Sequence, residues 1–234
     1  INEKIKSNNP LFEVLHGLIN FKKKEYEKAK KQFLEGFNKK IPFAALKLSK
    51  MYKKGIGVKV NEQKAQKYLI MFKVFRFPGK KLYKEGMNYK EINGHINEAI
   101  IYFKEAAEKG DIKSMKELYD IYYQGIQSIE PDIEQAFLYA KKAADKGDIE
   151  SIAKVAEMYE YGEGTDENIA EAFKYYEIAA LKGDTDSMNK YALMLDEGNG
   201  TTVNKEKACQ YYKLSANNGN YYAMYNYALM LFHG

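Results

Sequence analysis

The feature that most constrains this chain is an interval between an alanine and a glycine that recurs five times. In each copy the glycine follows the alanine by 26 positions (55 − 29 in the first), and the pairs are Ala29 and Gly55, Ala99 and Gly125, Ala136 and Gly162, Ala172 and Gly198, and Ala208 and Gly234. Because alanine favours helices and glycine ends them, a fixed interval indicates one supersecondary unit stacked on copies of itself. Such a stack leaves little room for an enclosed active site.

Each copy carries the signals of two helices. An Asp or Asn directly after a glycine can cap a first helix, and four copies have one: Asp111, Asp148, Asp184 and Asn220. A second cap stands four residues before the alanine in four copies, at Asn61, Asp132, Asn168 and Asn204. Apolar residues follow at helical spacing, for example Val155, Ala156 and Met158 in a first helix and Tyr175 with Tyr176 in a second. The pattern predicts helix pairs with a shared apolar core.

The segments that join the two helices carry a family resemblance. They read Gly-x-Gly in three copies and are followed by Lys-Ala in two of these, as in Gly55-Ile56-Gly57, Gly162-Glu163-Gly164, Gly198-Asn199-Gly200, Lys64-Ala65 and Lys207-Ala208. This pattern resembles the Sel-one-like repeat, a relative of the tetratricopeptide repeat. Glycine spacings of 37, 36 and 36 (162 − 125, 198 − 162, 234 − 198) fit it better than a 34-residue unit. The resemblance implies an all-α fold, a right-handed α-solenoid of about six antiparallel helix pairs over residues 1–234.

Two parts of the chain depart from the pattern. If Gly86 closes a first helix, the glycine spacing contracts to 31 (86 − 55) and then widens to 39 (125 − 86). We therefore expect a degenerate repeat over residues 71–97, with a short first helix from Pro78-Gly79 and a long loop over 87–96. Either a change in superhelical pitch or a break between two stacks is expected there. The front of the chain is more similar to a tetratricopeptide unit with a tight turn. Because the chain begins without a methionine and stops within a repeat, we expect it to be part of a longer protein.

The net charge of +5 conceals a division along the chain. Residues 1–110 carry 25 Lys and Arg against 11 Asp and Glu, whereas residues 111–234 carry 12 against 21. The basic half is suited to an acidic partner, but the acidic half would repel a long polyanion, so nucleic acid is disfavoured. A solvated, lysine-rich surface is the alternative explanation. No stretch is long and apolar enough to predict a transmembrane segment.

The sequence offers little for chemistry. His16, His95 and His233 lie far apart without further ligands at metal spacing, and the Gly-x-Gly loops follow helices rather than strands. We therefore expect no enzyme activity and no cofactor in this segment. The lone Cys209 is expected to be a buried, inert thiol, which favours a cytoplasmic location. The glycosylation sequon at Asn199 keeps the endoplasmic-reticulum lumen as an alternative.

A partner-binding surface is expected on a variable stripe of the first helices. Positions twelve, eight, five and one before the closing glycine lie on one side of the helix, away from the apolar ladder, and differ between copies. The residues assigned to the partner are Lys47, Lys50, Lys54, Glu117, Asp120, Lys154, Glu157, Tyr161, Lys190, Leu193, Asn226 and Leu229. The family resemblance places this stripe in the concave groove of the superhelix, although unconstrained exposed residues would vary in the same way.

Three functions are compatible with this pattern. The first is a protein-interaction scaffold or adaptor that binds a peptide or a partner's helix in the groove, as related proteins do in signalling or quality-control complexes. The second is a regulatory or targeting arm of a larger enzyme, such as a kinase or ubiquitin-ligase module outside this segment. The third is a hydrolase or small-molecule binder, as the cysteine-rich relatives suggest.

Overall fold

The structure is a computed structural model that describes residues 10–92 and 94–233. Over these residues it contains thirteen α-helices and no strand, apart from one isolated bridge between Ile126 and Ile129. The helices are α1 Pro10–Lys22, α2 Tyr26–Asn38, α3 Pro42–Lys54, α4 Glu62–Arg76, α5 Gly79–Lys90, α6 Ile96–Glu108, α7 Ile112–Gln124, α8 Ile133–Asp145, α9 Ile149–Tyr161, α10 Ile169–Leu181, α11 Thr185–Glu197, α12 Lys205–Asn217 and α13 Tyr221–His233.

The helices form six antiparallel pairs followed by a single helix, which confirms the predicted α-solenoid. In each pair an odd-numbered first helix packs on the even-numbered second helix, and that second helix packs on the first helix of the next pair in all but one case. The core is a strip of apolar side chains along the stack. Its largest fully buried side chains include Tyr102, Tyr176, Tyr191 and Tyr212.

The helix caps lie where the sequence predicts them. Asp148 accepts hydrogen bonds from the amide and the hydroxyl of Ser151 at 3.0 and 2.7 Å. Asn168 accepts one from the amide of Glu171 at 3.0 Å, at the start of a second helix. These bonds satisfy amides that have no partner within the helix. The same arrangement recurs at Asn61, Asp111, Asp132, Asp184, Asn204 and Asn220.

The second glycine of each Gly-x-Gly loop stacks one repeat on the one before it. A Cβ at Gly164 would lie 2.2 Å from the carbonyl oxygen of Ile133, at the start of the preceding second helix. A Cβ at Gly200 would lie 2.6 Å from the carbonyl oxygen of Ile169, at the equivalent place. In the α7–α8 loop, Gln127 takes the left-handed conformation that these glycines have elsewhere, with φ of 55°. Close backbone approach therefore explains why the loops need their second glycine.

The degenerate repeat is more regular than the sequence predicts, because Gly86 does not close a helix. It lies inside α5, where a Cβ would be 2.5 Å from the Phe103 ring. The first helix of this repeat, α5, has 12 residues, one fewer than the first helices α3 and α7. The segment expected to be a long loop is helical up to Lys90. Helix starts at 42, 79, 112 and 149 give intervals of 37, 33 and 37 (79 − 42, 112 − 79, 149 − 112). The expected short helix and long loop are therefore wrong.

The packing around this repeat still differs from the rest of the stack. α4 packs on α6 in addition to α3, and a separate small core joins α4, α5 and α6, with Ile70, Val74, Leu82, Tyr102 and Ala106 at its centre. Lys73 of α4 forms an ion pair with Glu85 of α5 at 2.7 Å. At the front of the chain, a three-residue turn joins α1 to α2, as predicted. Whether the irregular packing divides two stacks stays a prediction.

Candidate functional site

The first helices lie side by side and form one continuous face, here called the first-helix face. Lys116 of α7 pairs with Glu150 of α9, and Lys190 of α11 pairs with Glu160 of α9 at 3.0 Å. The amide of Asn226 on α13 donates to the side-chain oxygen of Asn189 on α11 at 3.3 Å. All twelve residues assigned to the partner lie on helices of this face.

Five of the twelve hold neighbouring first helices together. They occupy the position eight residues before the closing glycine and are named the bridging row: Lys47, Glu117, Lys154, Lys190 and Asn226. Each contacts the preceding first helix, whose contacting residues are, in the same order, Phe21, Lys90, Tyr119, Glu160 and Asn189. The bridging row therefore serves the stacking of the repeats, which the sequence did not distinguish from partner binding.

Lys47 and Lys190 show how this row is held. The Lys47 ammonium lies 5.7 Å from the centre of the Phe21 ring and 5.0 Å from that of Phe43, and burial, with a smaller effect of Lys50, lowers its pKa. Lys190 donates to the Glu160 carboxylate at 3.0 Å and to the hydroxyl of Tyr161 at 3.1 Å. Side chains bound in this way are poorly placed to receive a partner.

Three residues further along each helix, the side chains remain available. This position, named the open row, contains Lys50, Asp120, Glu157, Leu193 and Leu229. Lys50, Glu157 and Leu229 are exposed and the other two are half-buried. Within the part of the chain that the structure describes, the three charged members form no hydrogen bond and no ion pair through their side chains. The row changes from basic to acidic to apolar along the solenoid.

The two acidic members of the open row are partly desolvated. Removal from water raises the pKa of Asp120, and the largest opposing influence is the Lys154 ammonium. Desolvation likewise raises the pKa of Glu157, which Lys190 partly offsets. Lys154 and Lys190 are themselves bound to Glu150 and Glu160. The two carboxylates are therefore left without a full partner on the protein.

These raised pKa values predict that both carboxylates reduce stability at neutral pH. A carboxyl group whose pKa is higher in the folded state than in the unfolded state lowers the free energy of unfolding once the pH rises above the unfolded pKa. The loss is absent at low pH, where the group is protonated in both the folded and the unfolded state. Asp120→Asn and Glu157→Gln should each raise Tm slightly at pH 7 and leave it unchanged at pH 3, as measured by thermal unfolding. Glu134→Gln, an exposed substitution outside the face, is the matched control. A fall in Tm at pH 7 would show that the carboxylates have stabilising partners.

Two further assigned residues lie at the ends of first helices. Lys54 is exposed and forms no ion pair among the described residues. Tyr161 is 61% exposed, and its hydroxyl oxygen accepts the hydrogen bond from Lys190. An exposed aromatic ring held by a hydrogen bond offers contact area at little cost in side-chain entropy. Lys54 and Tyr161 extend the open row towards the loops.

At the C-terminal end of the open row, the face deepens into a groove of about 900 Å³ between α11, α12 and α13. Leu193, Asn226 and Leu229 line it together with Met230, which holds the core position that the buried Met194 holds one repeat earlier. Part of this groove is therefore the open end of the core strip. Cys209 is half-buried at this groove, so the expectation of a buried thiol is wrong. The reason is that α12 turns this position towards the rim of the groove and not into the core.

Four residues of the same face were missed by sequence reasoning. Counted from its helix start, α5 contributes Lys80, Lys84 and Met87 at the positions that form the stripe in other repeats, and Glu91 follows at its C-cap. The interval to Gly86 hides them, because Gly86 lies inside the helix and does not close it. The helix start at Gly79, which corresponds to the start at Pro42, gives the correct register.

A second groove of about 910 Å³ lies between the end of α3, α4 and the start of α6, and Lys53, Gln66 and Asn97 are among the residues that line it. Across residues 10–92 and 94–233, no three His, Cys, Asp or Glu side chains are grouped closely enough to hold a metal ion. No helix in these ranges is long and apolar enough to cross a membrane.

The repeat pattern matches a known family model. The model of the Sel1 repeat matches six segments, which together cover well over half of the chain: 42–72, 82–111, 120–148, 149–184, 185–220 and 222–234. The chain belongs to the Sel1 repeat family. The match confirms the Sel-one-like resemblance, and it leaves out residues 73–81 of the repeat that was expected to be degenerate. Sel1 repeat proteins are in general scaffolds for protein interactions.

Two solved structures of Sel1 repeat proteins share the fold. One is c5321, a protective antigen present in uropathogenic Escherichia coli strains that displays an SLR fold, with a TM-score of 0.62 and 24% identity over 100% of this chain and 51% of its own. The other is a Sel1 repeat protein from Oxalobacter formigenes, with a TM-score of 0.57 and 21% identity over 85% of this chain and 58% of its own. The chain thus spans about half the length of these relatives. No curated protein matches it.

Proposed function

We propose that this Sel1 repeat protein is a non-catalytic scaffold that binds an extended peptide or a partner's helix along the first-helix face. The observation that carries the proposal is the difference in contacts between the two rows. The bridging row holds the repeats together, whereas the open row varies in charge and size and leaves its side chains unpaired. A constant frame with a variable, unpaired row is suited to recognise the sequence of a partner.

The cost of the two carboxylates supports this role. Asp120 and Glu157 are partly desolvated without a full partner, and residues retained at a cost to stability are more common at functional surfaces than elsewhere. Leu193 and Leu229 of the open row add apolar area of the kind that anchors an aromatic or aliphatic side chain. A partner that contacts the two carboxylates and the two leucines would extend along several repeats.

Site-specific photocrosslinking tests the proposal. A benzoylphenylalanine placed at Lys50, Glu157 or Leu229 should crosslink a common partner in the native cell, identified by mass spectrometry. The same residue placed at exposed positions of second helices, Lys31, Lys174 and Lys213, is the matched control. Equal crosslinking of the common partner from the control positions would contradict the proposal.

Once a partner is identified, its affinity provides a second measurement. The triple variant Lys50→Ala, Glu157→Ala and Leu229→Ala should weaken binding by at least about tenfold, since an interface residue that matters contributes about 1 kcal/mol or more. A triple alanine variant of the control positions should bind like the wild type. An unchanged affinity of the open-row variant would remove that row from the binding site.

A further inference from the structure

The connections between the two helices of each pair lie along one edge of the solenoid, named the loop edge. It contains, in chain order, residues 23–25, 55–61, 91–95, 125–132, 162–168 and 198–204. At Gly57 and Gly164 the loop packs against the start of the preceding second helix, at Tyr26 and Ile133. The third and fourth connections touch where the Gly94 amide donates to the Gln127 side chain at 3.1 Å, and the groove of about 910 Å³ lies between α4 and the third connection.

Charge on the loop edge is divided by position. A basic patch at the first and second connections consists of Lys22, Lys23, Lys24, Lys53 and Lys59, all exposed. Among the described residues, none of the five forms an ion pair. The nearby carboxylates of Glu25 and Glu27 pair with Lys28 and Lys30, which are outside the patch.

An acidic patch occupies the other end of the same edge. It lies at the fifth and sixth connections and consists of Glu163, Asp166, Glu167 and Glu197. Glu163 accepts a hydrogen bond from the hydroxyl of Tyr123 at 3.0 Å, and Glu197 accepts one from the amide of Asn199 at 2.8 Å. In the part of the chain that the structure describes, no lysine neutralises these four carboxylates.

The two patches are too far apart to neutralise each other within one chain. Neighbouring first helices are separated by roughly 8–10 Å, so patches three or four repeats apart are about 30 Å from one another. This distance exceeds the Debye length of about 10 Å at 0.1 M salt. Each patch therefore presents its own field to an approaching molecule.

Exposed apolar side chains lie on the same edge. Val60, Ile92 and Val203 are 55%, 51% and 56% exposed, and they belong to the second, third and sixth connections. Ile92 lies between the two patches, together with the exposed carboxylates of Glu91, Glu130 and Asp132. Apolar side chains beside charged patches are the composition of a protein interface more than of a nucleic-acid or membrane contact. A long polyanion or an anionic membrane laid along this edge would also meet the acidic patch.

We propose that two copies of this chain associate through the loop edge about a two-fold axis between the third and fourth connections. Such an axis places the first connection opposite the partner's sixth and the second opposite the partner's fifth. Each basic patch then faces an acidic patch, and the contact is made twice, as a two-fold interface requires. No member of the bridging row or the open row belongs to either patch. Glu197 also lines the groove at α11, so it is left unchanged in the test.

The test uses complementary charge reversal. One variant carries Lys23→Glu, Lys53→Glu and Lys59→Glu, and a second carries Glu163→Lys, Asp166→Lys and Glu167→Lys. Both patches of the first variant are acidic, and both patches of the second are basic. Two copies of the same variant therefore repel each other. An equimolar mixture restores both contacts.

Analytical ultracentrifugation at 50 and 500 mM NaCl gives the readout. The wild type should be a dimer whose dissociation constant rises by about tenfold or more with salt, because screening weakens exposed charge pairs. Each variant should be monomeric, and their mixture should form a heterodimer. Circular dichroism melting confirms that each variant is folded.

A matched control carries Lys31→Glu, Lys40→Glu and Lys80→Glu, which change the net charge equally at exposed positions off the loop edge. It should dimerise like the wild type. A wild type that is monomeric at 100 µM in low salt would overturn the proposal, as would a mixture that stays monomeric. Species larger than a dimer would overturn the two-fold arrangement.

Discussion

Replacing Gly164 by alanine is expected to lower the free energy of unfolding by about 3 kcal/mol, because backbone strain and overpacking act at the same residue. The glycine has φ of 68°, a left-handed conformation that costs other residues about 1–2 kcal/mol. The added Cβ would also lie 2.2 Å from the carbonyl oxygen of Ile133, which belongs to a helix and cannot move away freely. Urea unfolding followed by circular dichroism measures the change.

Gly147→Ala separates the two causes. This glycine also has positive φ, at 87°, but a Cβ there would meet no atom within 4 Å. It should cost only the strain, about 1–2 kcal/mol. If Gly164→Ala lowers the free energy of unfolding by no more than Gly147→Ala, the close contact between repeats does not constrain the loop. Close backbone approach would then not explain the second glycine of the Gly-x-Gly loops.

The variant Tyr176→Ala is expected to destabilise the protein by about 4 kcal/mol, in the range of large aromatic truncations in cores. Tyr176 is 1% exposed, and its hydroxyl donates to the Glu160 carboxylate at 2.5 Å. Burial raises the pKa of this hydroxyl far above its usual range, so it stays protonated and remains a donor. Lys190 binds the same carboxylate, so the Glu160 side chain of α9 is linked to both α10 and α11.

Tyr176→Phe isolates the hydrogen bond from the packing. Since Lys190 still satisfies Glu160, the loss should be about 1–2 kcal/mol in urea unfolding. Tyr225→Ala, at a tyrosine that is 65% exposed, is the control and should change stability by less than about 0.5 kcal/mol. A cost of Tyr176→Phe as large as that of Tyr176→Ala would show that the network, and not the apolar contact, stabilises this part of the stack.

The two expected losses concern the same property of a solenoid. Each repeat contacts only its neighbours, so stability depends on the interfaces between repeats as much as on each helix pair. Gly164 acts at the loop edge of such an interface and Tyr176 acts in its core. The bridging row acts at a third place, on the first-helix face. A partner bound to the open row would span several of these interfaces and should stabilise them together.

Much of this fold can be predicted from the sequence because its determinants are local. The caps at Asp148 and Asn168 act within three residues, and the apolar ladder repeats with the period of the helix. Gly86 shows where local reasoning fails. A glycine that ends a helix and one that makes room for a neighbouring ring look alike in sequence, and only the position of Phe103 distinguishes them.

The candidate site could likewise be predicted from the sequence only in part. The sequence by itself determined a Sel1 repeat solenoid and a variable stripe on its first helices, because repetition separates constant positions from variable ones. Only the tertiary structure decided that Lys154 and Lys190 bridge neighbouring repeats, while Asp120 and Glu157 stay unpaired. It also placed the basic and acidic halves of the chain at opposite ends of one edge. Contacts between helices about 30 to 40 residues apart in the chain depend on how the repeats stack, and no local signal in the sequence encodes them.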